Sequence, residues 1–324
     1  MEKKGKKRMA AQRVQRVPIP AWIGKFPFRP EEKRFVVIHR EDELSGFYGF
    51  EGHQVALRRF VSLDQFTVSQ WTLNPGNYYE PAGQHNYGDE IYYFLEGDPV
   101  AFAPETGETY QLRAQDALYI PRGTRHQIFG FNEKKIVVIS IVAPRIWAAE
   151  DKMGTVIPPV QEPRFYKGWE EGGEGETARS RPAPGLPSID SLGRWPMEGK
   201  KARQEKKIIP VRAEEQLPLI HGKERHVLFS FVVSNDYVHV ARLQIPVSGI
   251  SQMERHQGDE LVYALEGDLV VQLEEPGEAK GSAVSLCHHV FQGEKCFIPG
   301  GTPHKYLNFN TTPIQAFVVI GPGL

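Results

Sequence analysis

The sequence predicts an all-β protein made of two similar domains in tandem. Apolar residues come mostly in short alternating runs, such as "QFTVSQWTL" and "YVHVARLQI", which is typical of half-buried strands. The 31 glycines and 25 prolines separate these runs as turn residues do. One phrase occurs twice, as "HNYGDEIYYFLEGD" from His85 and as "HQGDELVYALEGD" from His256. An internal repeat of this kind indicates duplicated domains, and 324 residues suffice for two separate cores.

The strands can be read off each half in order. The first half contains "RFVVIHR", "QFTVSQWTL", "EIYYFLEG", "DALYIPRG" and "KIVVISIV". The second half contains "HVLFSFVVS", "YVHVARLQI", "ELVYALEGDLVVQL", "KCFIPGG" and "IQAFVVIG". No long stretch shows a convincing helical period. Many short strands with turn residues between them fit a β-sandwich or β-barrel.

Composition divides the chain into four parts. Residues 1–54 are predicted to form an N-terminal arm and edge strands, and residues 55–147 the first barrel. Residues 148–207 are rich in Pro, Gly and charge, which is typical of a linker. Residues 208–324 are predicted to form the second barrel. The spacing of the repeat is longer around 274–292, which predicts a longer hairpin there.

The charge balance excludes several classes of partner. The chain has 39 basic and 40 acidic residues, which argues against nucleic acid or an anionic membrane as the main partner. No run approaches the ~20 apolar residues of a membrane span. The two cysteines, Cys287 and Cys296, are too few for a disulfide framework. We therefore expect a cytoplasmic protein with reduced thiols.

Two motifs, each present in both halves, resemble those of the cupin superfamily, and their duplication resembles the bicupins. The first motif carries a histidine, a glutamate and a glycine, and the second carries Pro-x-Gly and a further histidine. The matching residues are His85, Glu90, Gly97, Pro121, Gly123 and His126 in the first half, and His256, Glu260, Gly267, Pro299, Gly301, His304 and Asn308 in the second. The resemblance implies an all-β fold of two tandem cupin (jelly-roll) β-barrels.

The resemblance also implies a divalent transition metal held by the motif residues. The family's first histidine is replaced by Gly83 in one half and by Glu254 in the other. The predicted ligands are therefore His256, Glu260, His304 and Glu254 in the second barrel, and His85, Glu90 and His126 in the first. Iron is the first choice of metal, with Mn, Ni, Co and Zn as alternatives, because imidazole and carboxylate ligands suit them all.

Strand alternation predicts which other side chains face these sites. Tyr92 and Phe94 share the parity of Glu90, so we expect them to narrow the first cavity. Arg242 is predicted to enter the second barrel, where a cation would suit a carboxylate-bearing substrate. In the mechanism that the resemblance implies, Tyr306 is a nearby candidate for relaying protons.

The resemblance implies a metal-dependent dioxygenase or related oxidoreductase. Its substrate would be a small oxygen-bearing organic molecule, either aromatic or a carboxylic acid. A metal-dependent isomerase, cyclase or lyase of a sugar or keto acid is a second hypothesis. A non-catalytic small-molecule-binding cupin is a third, because fold does not fix function. A homodimer is expected, because a partner subunit commonly covers barrel edges.

Overall fold

The computed structural model describes residues 32–80, 82–145, 191–222, 225–276 and 283–324. In these residues the chain is almost entirely β, with one α-helix, α1, at Gly199–Glu205. No helix in this part of the chain is long and apolar enough to cross a membrane. Residues 1–31 of the predicted arm and 146–190 of the predicted linker lie outside the described residues. The prediction of two tandem all-β barrels is confirmed.

The strands of the two halves follow one another in the same order. Those of the first half are β1 (Val36–Ile38), β2 (Leu44–Phe50), β3 (His53–Ser62), β4 (Thr67–Leu73), β5 (Asp89–Glu96), β6 (Val100–Ala103), β7 (Glu108–Gln111), β8 (Ala117–Ile120), β9 (Gln127–Phe129) and β10 (Ile136–Ala143). Those of the second half are β11 (Ile209–Val211), β12 (Leu217–His221), β13 (Val227–Ser234), β14 (His239–Ile245), β15 (Glu260–Glu266), β16 (Leu269–Pro276), β17 (Ala283–Val290), β18 (Lys295–Ile298), β19 (His304–Leu307) and β20 (Ile314–Ile320).

Each barrel consists of a seven-stranded sheet facing a three-stranded sheet. The first barrel has the orders β11-β8-β5-β10-β4-β3-β2 and β7-β6-β9. The second has β1-β18-β15-β20-β14-β13-β12 and β17-β16-β19. Every strand pair is antiparallel, and corresponding strands take corresponding places. The predicted longer hairpin of the second half is the β16–β17 pair, whose strands are twice as long as β6 and β7.

The two barrels exchange their first strands. β1, from the N-terminal arm, pairs with β18 of the second barrel. β11 pairs with β8 of the first barrel, with Ile209 opposite Tyr119. The sequence division placed residues 208–324 in the second barrel, and for β11 that division is wrong. Three residues cannot bury a core of their own, so β11 is held by the apolar edge that it covers and by the pairing of Arg212 with Asp116 at 3.0 Å.

Three apolar clusters hold the molecule together. One fills the first barrel around Trp71 and Phe94, and another fills the second barrel around Phe229. The third lies between the two large sheets, where the rings of Tyr93 and Phe317 have centroids 4.8 Å apart. Each fully buried aromatic side chain contributes about 1.5–3 kcal/mol. Because both faces of these sheets are covered, strands such as β5 are apolar on both sides.

Helix α1 lies within the predicted linker, residues 148–207. Arg203 on this helix donates from Nε to Asp89 Oδ2 at 2.6 Å, and Asp89 also accepts a hydrogen bond from the Tyr119 hydroxyl at 2.7 Å. The guanidinium of Arg203 lies 4.6 Å from the centre of the Tyr237 ring. The helix is thereby fixed at the junction of the two barrels, so the last part of the predicted linker, from residue 191, is structured.

Candidate metal centre and ligand cavity

The second barrel brings the four predicted metal ligands together in its interior. Glu254 exchanges two backbone hydrogen bonds with His304, at 2.7 and 2.9 Å, which sets these two side chains next to each other. His256 lies between them and β15, which begins at Glu260. Glu254, His256, Glu260 and His304 are all buried. The pairing of Glu254 with His304 and the start of β15 at Glu260 therefore gather the motif residues in the interior of the barrel.

The distances within this group are short. Glu260 Oε2 lies 3.1 Å from His304 Nε2 and 3.6 Å from His256 Nε2. Glu254 Oε2 lies 3.5 Å from His256 Nε2. Across the described ranges, Glu254, His256 and His304 are the one set of three whose ligand atoms all lie within 4.8 Å of one another. Imidazole nitrogens and carboxylate oxygens aimed at one point are the donor set that divalent transition metals prefer.

A further histidine, His221, joins this group and was missed by the sequence reasoning. It is the last residue of β12, and its Nε2 lies 3.2 Å from Glu254 Oε1. It lies outside both motifs. The signal in the sequence was its parity, because Leu217, Leu219 and His221 alternate with exposed residues along β12. In the first barrel the matching position is Tyr48, because Tyr48 pairs with Val55 as His221 pairs with Val227.

Neighbouring groups fix the orientation and the proton of His304. Its Nδ1 lies 2.9 Å from the Thr302 carbonyl oxygen, so Nδ1 carries a proton and Nε2 faces the centre. Burial lowers the pKa of His304, but the negative charge of Glu260 dominates and raises it to about 9. Burial likewise opposes the charged form of Glu254, yet hydrogen bonds from His221 and His256 hold the pKa of this carboxyl below its ordinary value.

Tyr306 lies beside the ligands, as predicted. Its hydroxyl donates to Glu260 Oε1 and lies 3.1 Å from His304 Nε2. Burial and the negative charge of Glu260 raise the pKa of Tyr306 well above its ordinary value. The phenol therefore keeps its proton at neutral pH and can hold Glu260 in place as a hydrogen-bond donor.

In the first barrel, Glu90 contacts the other two predicted ligands, but the ligand atoms of the three do not all lie within 4.8 Å of one another as those of Glu254, His256 and His304 do. Glu90 Oε2 lies 3.0 Å from His126 Nε2 and 3.4 Å from His85 Nε2. Burial opposes the charge on Glu90, but the two histidines lower the pKa of its carboxyl below the ordinary value. Burial lowers the pKa of His85, but the negative charge of Glu90 raises it by more. The pKa of His85 therefore lies above its ordinary value. Ser140 donates to Glu90 Oε1 at 2.8 Å.

Gly83 occupies the place of Glu254 in this barrel. It exchanges backbone hydrogen bonds with His126 at 2.8 and 3.0 Å, as Glu254 does with His304. A Cβ on Gly83 would lie 2.7 Å from His126 Nε2. The imidazole of His126 therefore lies over the space that a side chain at position 83 would need. His126 Nε2 also lies 3.0 Å from the hydroxyl of Tyr92 on β5. In the second barrel, the matching His304 contacts the hydroxyl of Tyr306 on β19, so the two phenols come from different strands.

A cavity of about 200 Å³ lies next to this trio. Tyr92 and Phe94 both face the interior of the first barrel, and of the two only Tyr92 lines the cavity. Tyr92 forms one wall, and the cavity stays open beside it. The rest of the lining consists mainly of Tyr48, Val55, Leu57, Arg59, Thr67, Ser69, Trp71, Tyr79, Gln84, Ser140 and Val142.

Arg242 does not enter the second barrel, so its predicted role there is wrong. Its guanidinium donates to Gln115 Oε1 in the first half of the chain. The pairing of β14 with β20 sets Ala241 opposite Val318, just as Ser69 lies opposite Ser140 in the first barrel. The inward residues of β14 are therefore Ala241 and Leu243. Arg242 matches Gln70 and faces the other barrel.

Comparison with known proteins agrees with this geometry. The family model "Cupin domain" matches residues 69–142, and no curated protein matches the sequence. The solved vicilin of Solanum melongena, which has different anionic ligands in structurally similar pockets, has a TM-score of 0.56 and 14% identity, covering 89% of this chain and 84% of that one. A mutant of the oxalate decarboxylase of Bacillus subtilis has a TM-score of 0.52 and 12% identity, covering 90% of this chain and 77% of that one. AerE of Microcystis aeruginosa has a TM-score of 0.51 and 11% identity, covering 86% of this chain and 97% of that one.

These likenesses span both barrels, whereas the family match lies in the first. The second barrel repeats the strand order, the motif hydrogen bonds and the buried histidine–glutamate group of the first. At identities of 14% and below, the solved structures establish the fold and leave the chemistry open. The match of residues 69–142 shows a cupin domain in the first barrel, and the duplication with the shared fold shows the two-barrel architecture that the resemblance to the bicupins predicted.

Proposed function

We propose that this protein is a metal-dependent enzyme whose divalent transition metal is held in the second barrel by Glu254, His256, Glu260 and His304. The observation that carries the proposal is the burial of two carboxylates, Glu254 and Glu260, whose oxygens lie 3.5 and 3.6 Å from His256 Nε2. Burying a carboxylate costs several kcal/mol unless a cation compensates it. A divalent cation would balance both negative charges while the histidines stay neutral.

The donor set suits a redox-active metal as well as zinc, and Fe is our first choice. When bound, the metal would supply a Lewis acid that polarises substrate oxygen atoms. The chain's own contribution is orientation. The Thr302 carbonyl holds the ring of His304, and the Tyr306 hydroxyl holds Glu260 and keeps a proton next to the centre.

For the reaction, we propose dioxygenase or related oxidoreductase chemistry on a small oxygen-bearing organic molecule. The support is the resemblance to metal-dependent bicupin enzymes. A metal-dependent isomerase, cyclase or lyase is the alternative, and a requirement for O₂ separates the two. Non-catalytic binding is a third candidate that a specific observation favours, because the Solanum vicilin carries anionic ligands in its pockets. Tight binding without turnover would support that candidate.

The trio His85, Glu90 and His126 remains our proposed second metal site. Its support is that both imidazole Nε2 atoms face the same oxygen of Glu90, at 3.4 and 3.0 Å. Gly83 stands where the second barrel has the Glu254 carboxylate, so we expect this site to bind metal more weakly than the one in the second barrel. A cytoplasmic location and a homodimer also stay predictions, and light scattering of the purified protein tests the second.

Elemental analysis of protein purified without chelators tests the metal proposal. We expect one to two transition-metal ions per chain. The double variant His256→Ala/His304→Ala should lose the ion of the second barrel, whereas His226→Ala, an exposed histidine outside both groups, should lose none. A metal-free wild type after reconstitution with Fe²⁺, Mn²⁺ and Zn²⁺, or a double variant with full content, would contradict the proposal.

A further inference from the structure

The interior lining of the first barrel is more polar than that of the second at matching positions. Arg59 pairs with Ser69 in the first barrel, and Phe231 pairs with Ala241 at the corresponding place in the second. Opposite Ser69 lies Ser140, where the second barrel has Val318. Three interior positions are thus polar in one barrel and apolar in its duplicate.

These polar residues all line the cavity of the first barrel. Arg59 Nε donates to Ser69 Oγ at 3.2 Å, which holds the guanidinium against the wall of the cavity. The cavity's other walls include Leu57, Trp71 and Val142. A cavity of about 200 Å³ corresponds to roughly six or seven water molecules at about 30 Å³ each, which is room for a small organic molecule.

Arg59 brings a positive charge to the wall of the cavity. Burial lowers the pKa of Arg59 to about 10, so the guanidinium is still a cation at neutral pH. A guanidinium presents its donors as a planar fork that matches a carboxylate, and an ion in a partly desolvated site binds its counter-ion more strongly than in water. The duplicate barrel has a phenylalanine at this position, so the cation is a feature of the first barrel alone.

We propose that the first barrel binds a small monocarboxylic acid in this cavity, with the carboxylate on Arg59 and Ser69 and the apolar remainder against Leu57, Trp71 and Val142. This inference deepens the proposed function, because it names the chemical class of the substrate. The inference rests on the proposed function only for the reaction that would follow binding of the acid. The binding step uses Arg59, which is not among the proposed metal ligands.

Isothermal titration calorimetry on chelator-treated full-length protein tests the inference. The probes are propionate and benzoate, with propionamide and benzamide as uncharged partners of matched shape. We expect both acids to bind with millimolar or better affinity and each amide to bind at least about tenfold more weakly. Arg59→Gln should weaken the acids about ten- to a hundredfold, because a charge-assisted hydrogen bond is lost.

Two controls separate the inference from a general loss of structure. Arg242→Gln removes an arginine from the matching sheet of the second barrel and should leave the affinity unchanged. Ser69→Ala removes the neighbour of the guanidinium and should weaken the acids by a smaller factor. Equal affinity of acids and amides for the wild type, equal affinity of Arg59→Gln and wild type, or no binding of either acid at millimolar concentration would each overturn the inference.

The same samples distinguish this failure from failure of the proposed function. If the acids bind through Arg59 but elemental analysis finds no metal, the carboxylate site stands and the metal-dependent enzyme does not. If metal is present and the acids do not bind, the metal centre stands and the proposed substrate class is wrong.

Discussion

His221 Nε2 lies 3.2 Å from Glu254 Oε1, although His221 comes from β12 and lies outside both cupin motifs. The contact adds a third imidazole to the centre that His256 and His304 form. In the second barrel Glu254 replaces the first histidine of the motif. His221, from another strand, brings the number of imidazoles back to three. The candidate metal centre therefore contacts a part of the barrel that lies outside the motifs.

We expect His221→Ala to weaken metal binding in the second barrel by about ten- to a hundredfold. The variant removes either a ligand or the hydrogen-bond partner that holds Glu254, and both losses act in this direction. Competition with a metallochromic chelator measures the affinity. His226→Ala is the matched control, because His226 is exposed. Wild-type affinity in His221→Ala would show that this histidine has no part in the centre.

We expect Gly83→Ala to destabilise the first barrel by about 1–3 kcal/mol. The added Cβ would lie 2.7 Å from His126 Nε2, and the imidazole cannot move away without breaking its contacts with Glu90 and Tyr92. Urea unfolding gives the free energy. Gly46→Ala is the control, since its Cβ would meet nothing within 4 Å. A loss for Gly83→Ala no greater than for the control would refute this packing argument.

The stability of the metal-free protein should depend on pH through His304. The pKa of this histidine is raised to about 9 in the folded protein, against about 6.5 unfolded. Its stabilising contribution, on the order of 3 kcal/mol, should be fully present below pH 6.5 and should be lost as the pH rises through about 9. Thermal unfolding of chelator-treated protein across this range, compared with His304→Gln, measures it. The variant should lack this decline, and a parallel decline in both proteins would rule out His304 as its source.

Glu43→Gln should destabilise the contact between the barrels by about 3–5 kcal/mol. The Glu43 carboxylate accepts a hydrogen bond from the fully buried Lys295 ammonium and lies 3.0 Å from Arg58 Nη1. Removing its charge would leave a buried cation between the rings of Phe60 and Tyr263 without its counter-ion. Urea unfolding measures the loss, and exposed Glu41→Gln is the control. The double variant Glu43→Gln/Lys295→Met should recover most of the stability, and no recovery would contradict this account.

The sequence by itself determined the two barrels and the convergence of their motif residues. The strand patterns and turns are local, and the duplicated motifs fix which strands carry the histidines and glutamates. Alternation along β5 and β15 then directs Glu90 and Glu260 inward, because successive side chains of a strand face opposite sides. Tyr306, two residues after His304, was predicted as a nearby proton relay, and it lies in contact with Glu260.

Only the tertiary structure decided which arginine faces a cavity. The sequence favoured Arg242, but the structure has Arg59 in the first barrel and sets Arg242 between the barrels. Both faces of the large sheets are buried, one inside a barrel and one against the other barrel, so alternating hydrophobicity could not distinguish them. A shift of one residue in the comparison of the halves then exchanges the two faces.

The exchange of β1 and β11 and the contribution of His221 were also decided by tertiary structure. A three-residue strand such as β11 carries no information about which of two similar sheets it will join. Its choice depends on the free edge that it meets once the barrels have packed. His221 lies next to Glu254 because β12 pairs with β13 at the end of the sheet, which is a contact between segments that no local pattern specifies.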